Sequence, residues 1–120
     1  MTHGVLFVAV LFVLAPASRA EKWVDTGHAV LIDVDSIKKD KDGLVYYFEK
    51  RRSYDMDNDG NPAGTSWGKK SKAAMDCDAR LSFSSYAIEY EADWRAKGAT
   101  VIKGTMGEVL FDFVCSRVKE

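Results

Sequence analysis

Thr105–Cys115, TMGEVLFDFVC, breaks the pattern of everything before it. Met106, Val109, Leu110, Phe113 and Val114 recur at helical spacing and form one apolar stripe. Thr105 stands where an N-cap belongs, and Glu108 follows at the capping-box distance. Arg117 and Lys119 lie near the far end, where cations offset the helix dipole. The spacing predicts a C-terminal helix, with Cys115 one position past its main stripe.

Upstream the period is two, not 3.6. Lys70–Cys77 alternates, with Ala73, Met75 and Cys77 on one face and Lys70, Lys72, Ala74 and Asp76 on the other. Arg80–Tyr90 alternates as well and reads as a strand. Leu44–Glu49 (LVYYFE) is rich in aromatic and β-branched residues and opens after the Asp42-Gly43 turn signal, so it reads as a central strand. His28–Ile32 and Ala99–Ile102 read as short strands, and Asp33–Ile37 as a turn or one helical turn. Asp55–Gly64 (DMDNDGNPAG) is a loop by composition. Strands first and a helix last give an α+β class: an antiparallel β-sheet with a C-terminal helix.

The other end of the chain settles the expected compartment. Val5–Ala15 is an unbroken apolar run, shorter than the roughly 20 residues a spanning helix needs. Pro16 follows, and Ser18-Arg19-Ala20 places small residues at the two positions a signal peptidase reads. Met1–Gly4 carries no Lys or Arg, an atypical start for such a segment. Residues 1–20 are therefore expected to be a signal peptide and residues 21–120 one exported domain. The destination is the periplasm, the cell surface or the medium. No Cys at the cleavage region offers a lipid anchor, and no later apolar run is long enough to span a membrane.

Cleavage leaves 100 residues with 16 basic and 18 acidic side chains, a balance that argues against nucleic-acid binding. A domain of this size buries a modest core. Its two cysteines, Cys77 and Cys115, lie in an exported chain, where disulfides persist. Joining them closes a loop worth about 3–4 kcal/mol in the chain-entropy treatment. It would also pin the terminal helix to the strand ending at Cys77. The alternative is two free thiols or half a metal site. For that, His28 is the only mature histidine and no CxxC spacing exists.

Two local features invite a functional reading. Asp55-x-Asp57-x-Asp59-Gly60 matches the first half of a calcium loop, but Ser66 stands where the bidentate Glu belongs. The same residues are ordinary hairpin-tip chemistry. Beside them, Lys50 and Arg52 precede the loop, and Trp67, Lys70 and Lys72 follow it. If the flanks pair as a hairpin, the result is a basic stem with an acidic tip. That is either a solvated edge or a partner-binding finger anchored by Trp67. Trp23, Trp94, the Tyr46-Tyr47-Phe48 group and the Tyr86/Tyr90 pair read as core aromatics. No nucleophile–base pair is visible, so the chain is expected not to be an enzyme and to need no cofactor. A two-carboxylate hydrolase is the weaker alternative.

Taken in order, several of these pieces resemble the surface-adhesin protein E-like family of exported bacterial proteins. The pieces are Trp23; Asp33-x-x-Ser36-Ile37 before a basic, Gly-containing turn and an aromatic strand; Asp76-Cys77 with Arg80 behind; and Gly104-Thr105-x-Gly107-Glu108-x-Leu110 leading into Phe113-Val114-Cys115. Lys103 stands where the family often has Pro. The resemblance implies an antiparallel sheet whose C-terminal helix is tied down by a Cys77–Cys115 disulfide. It also implies an adhesin-like role, since the namesake is dimeric and binds host matrix and serum proteins. The expectation is a non-enzymatic binding domain for a macromolecular partner, host matrix protein or envelope component, and a homodimer through sheet edges is a further expectation. A periplasmic structural role is the alternative, and a small calcium-binding protein is a weaker one.

Overall fold

A computed structural model describes residues 20–118, so the expected signal peptide lies outside the described residues except for Ala20, and Lys119 lies outside them too. Seven antiparallel strands form the sheet. They are β1 (Trp23–Asp25), β2 (Val30–Lys39), β3 (Val45–Met56), β4 (Pro62–Trp67), β5 (Ser71–Asp76), β6 (Leu81–Phe83) and β7 (Ala99–Thr100). Their order is β1-β2-β3-β5-β6-β7, with β4 paired to β3 alone. Helix α1 (Ser85–Tyr90) and a 3-10 turn (Trp94–Ala96) sit between β6 and β7. Helix α2 (Met106–Cys115) closes the chain.

The α+β class and the terminal helix stand as expected. Thr105 Oγ1 accepts the Glu108 amide at 3.4 Å, while Glu108 Oε1 accepts the Gly104 amide at 3.1 Å. The reciprocal bonds satisfy two amide donors at the helix entry. Leu110, Phe111 and Val114 are buried against Val30, Ile32, Val45, Tyr47, Ala73 and Met75 of the sheet. The buried face is thus turned from the expected stripe: Met106 and Val109 are exposed and Phe111 is buried in their place. The Cys77–Cys115 disulfide, with Cα atoms 5.9 Å apart, joins the end of β5 to the end of α2.

Asp33–Ile37 is not a turn. Strand β2 runs through it, but Asp33 opposes Phe48 and Lys38 opposes Tyr46, so β2 carries three more residues than β3 across that interval. The polar side chains make this bulge affordable in hydrogen bonds. Asp33 Oδ1 accepts the amides of Lys22 and Asp35, at 3.0 and 3.1 Å. Ser36 Oγ donates to the Asp33 carbonyl and accepts the Phe48 amide at 2.9 Å. The bulge swings Ile37 into the core.

Arg80–Tyr90 is a second correction. The strand ends at Phe83, because Ser84 Oγ accepts the Ala87 amide at 3.1 Å and starts α1. A local side-chain cap outcompetes the alternating pattern there. Helix α1 and Trp94 cover one end of the sheet's second face, over Leu44, Ala74 and Phe83. Ala74, expected on a polar face, is therefore buried. The strand expected at Ala99–Ile102 stops at Thr100, with Val101 buried and Ile102 exposed. The strand expected from His28 starts at Val30, after Ala29 takes a φ of +65°.

Candidate functional site: an aromatic and cationic sheet face

Alternation along β3 sends Val45, Tyr47 and Glu49 toward α2, and Tyr46, Phe48, Lys50 and Arg52 to the opposite face. The pairings Trp23 with Asp33, Asp33 with Phe48, and Phe48 with Lys72 carry that outer face across four strands. Four cations lie over aromatic rings there. Lys50 Nζ is 4.4 Å from the Trp23 ring centroid and Lys72 Nζ 4.5 Å from that of Tyr46. Lys70 Nζ is 4.7 Å from the Phe48 ring, and the Arg52 guanidinium 4.9 Å from the Trp67 ring. Each such contact is worth about 0.5–1 kcal/mol at an exposed position.

All five residues expected at a partner-binding finger thus share one face: Lys50, Arg52, Trp67, Lys70 and Lys72. The flanks do not form one continuous hairpin, however. Strand β4 pairs with Arg52–Met56, then the chain steps at Gly68, and β5 pairs with Val45–Glu49. The Gly68 amide donates to the Arg51 carbonyl at 2.8 Å, and a Cβ there would stand 3.2 Å from that oxygen. Lys70 follows this step and reaches Glu21 at 2.6 Å. That hydrogen bond, with a second from Trp23, holds the Glu21 carboxyl below the usual carboxylate range. Lys69 pairs with Glu89 at 3.4 Å. Among the described residues, Lys50, Arg52 and Lys72 form no ion pair.

The expected Asp55–Gly64 loop is mostly strand. Strand β3 runs to Met56 and β4 starts at Pro62, so only residues 57–61 make the turn. Strands β2 and β5 stop pairing with β3 at Arg51 and Glu49, so a two-stranded ribbon extends beyond the sheet. Every residue of that ribbon is exposed, including Tyr54 at 70% and Met56 at 62%. At its tip, Asp57 Oδ1 accepts the Asp59 and Asn61 amides, both at 2.9 Å. Asp55 Oδ1 accepts the Ser66 hydroxyl at 3.2 Å. Asp57 is thus used by its own turn, and no three acidic, His or Cys side chains converge as a metal site among the described residues.

Sequence reasoning missed two things. Trp23 and Phe48, expected in the core, seat cations on the outer face, and Tyr46 seats Lys72 while packing beside Trp94 on the Leu44, Ala74 and Phe83 cluster. The alternation of Tyr46, Phe48, Lys50 and Arg52 was the signal for it. Tyr86 and Tyr90, also expected in the core, are exposed. Glu49, on the core side, is buried and takes a fork from Arg51, with Nε to Oε2 at 2.8 Å and a terminal nitrogen to Oε1 at 3.2 Å. Burial alone would lower the Arg51 guanidinium, but the Glu49 bonds more than offset it and its pKa rises. No helix among the described residues is long and apolar enough to cross a membrane. Comparison with family models, with curated proteins and with solved structures finds no match for this chain.

Proposed function

We propose that this chain is an exported, non-enzymatic binding domain of the surface-adhesin protein E-like kind. It recognises an acidic macromolecular partner at the cell envelope or surface through its outer sheet face and the adjoining ribbon. The observation that carries this reading is the set Lys50, Arg52 and Lys72, three cations seated on aromatic rings and held in no ion pair among the described residues. Rings supply apolar contact area and hold the long side chains in place, which lowers the entropy lost on docking. Unpaired cations supply the steering field for an acidic surface. The ribbon adds a reason for a partner, since two strands alone are marginally stable in water.

Crosslinked capture by residues 21–120, from the protein's own envelope and from host matrix protein, tests the reading. The triple variant K50Q/R52Q/K72Q serves as the comparison. Three rim cations at about 0.5–1 kcal/mol each predict an affinity loss of about tenfold to a hundredfold. The variant should keep the parent melting temperature to within a few degrees, because these heads are solvated. Equal capture by the parent and the triple variant rules the proposal out.

A further inference from the structure

On the opposite face of the sheet, under the first turn of α2, lies a cavity of about 240 Å³. Tyr47, Glu49, Arg51, Met75, Met106 and Leu110 supply most of its character. It is separate from the cationic face, and nothing in the proposed partner recognition uses it.

Tyr47 is the telling residue. It is 4% exposed, and its hydroxyl makes no hydrogen bond among the described residues. Yet no side-chain oxygen sealed from solvent lacks a partner among those residues. The hydroxyl must therefore open into the cavity that Tyr47 lines. A phenol O–H on a cavity wall, engaged by no protein acceptor, is free to donate to whatever occupies that cavity. Burial first, and the Glu49 charge second, push its pKa up, so it stays a neutral O–H donor.

Each charged side chain that lines the cavity already has a partner, so none is left to bind a charged guest. Glu49 is neutralised by Arg51, and Lys97, which also lines the space, is held by Glu91 and by Asp93 at 3.6 Å. The remaining walls are mostly apolar, with Ser82 and Ser84 as the polar exceptions, and two methionines give them an adaptable surface. In volume, an apolar cavity of about 150 Å³ admits benzene, so this one takes a ring with a short substituent.

We propose that the cavity binds a small uncharged aromatic or alicyclic compound bearing one acceptor oxygen. The Tyr47 hydroxyl donates to that oxygen, while Met75, Met106 and Leu110 enclose the ring.

Methionine-methyl NMR on the whole mature domain, residues 21–120, tests this with four probes: acetophenone, ethylbenzene, benzoate and benzylammonium. Acetophenone should shift the Met75 and Met106 methyl signals saturably, with a Kd on the order of 1 mM. Ethylbenzene, which lacks the acceptor, should bind about 2- to 10-fold more weakly, and Tyr47→Phe should reduce acetophenone to the same level. Benzoate and benzylammonium should bind more weakly than acetophenone. Met106→Trp, at a partly exposed position of the lining, should abolish the shifts without unfolding the domain. It keeps the test valid if Tyr47→Phe does not fold. The proposal fails if no probe saturates, if a charged probe binds tightest, or if acetophenone binds Met106→Trp as it binds the parent. It fails equally if a folded Tyr47→Phe retains full acetophenone affinity.

Discussion

Replacing Arg51 with alanine would leave the Glu49 carboxylate buried without its counter-charge. The Glu49 side chain is 2% exposed and that of Arg51 55% exposed. Removing one partner from a fully buried pair costs about 3–5 kcal/mol. Arg51 is half in water, and the adjoining cavity lets solvent approach Glu49, so the cost here should be about 2–3 kcal/mol. For a domain near 100 residues that is a fall in Tm of about 8–24 °C. Substituting both residues separates the charge effect from lost packing. Glu49→Leu with Arg51→Ala removes the charge together with its partner, and should return to within about 1 kcal/mol of the parent. Urea denaturation of the three proteins, with m-values compared, reads both quantities. An Arg51→Ala cost below about 0.5 kcal/mol refutes the reasoning, because surface changes of no consequence fall in that range. A double variant no better than Arg51→Ala also refutes it, since the loss would then come from packing of the Arg51 stem.

Three further outcomes follow from other parts of the fold. Removing the Cys77–Cys115 bridge should cost about 3–4 kcal/mol, and hydrogen exchange should rise in α2 before β3; equal protection of α2 with and without reductant contradicts this. Gly98→Ala would place a Cβ 2.8 Å from Phe83 Cε1 and 2.9 Å from Cζ, so it should cost about 1–3 kcal/mol by thermal melting. An unchanged melt would show that the Phe83 ring gives way. Glu21→Gln releases Lys70 from its ion pair and should delay elution from a heparin column. Unchanged elution would remove Lys70 from the proposed face.

Local pattern made a large part of this protein legible. The helical period from Met106 to Val114 and its Thr105 cap reflect contacts within a few residues, which a sequence displays directly, whereas which side of that helix is buried was set by the sheet it packs on. The pairing of Cys77 with Cys115 needed only the count of cysteines and the expectation of export. Other elements depended on competition between distant parts. Asp33 and Ser36 looked like turn residues because their side chains do bond locally, yet β3 still pairs on both sides of them. Ser84 interrupts a good alternating run because Leu44, Ala74 and Phe83 give α1 and Trp94 a surface to cover.

For function, the sequence by itself determined which charges and aromatics were available: Lys50, Arg52, Trp67, Lys70 and Lys72 in order along the chain. Tertiary structure alone decided that they share a face with Trp23, Tyr46 and Phe48, and that Glu49 and Tyr47 face a cavity instead. The physical reason is register. Alternation assigns each side chain to one of two faces, but which face is covered depends on where α1 and α2 pack, and that is a contact across the whole chain.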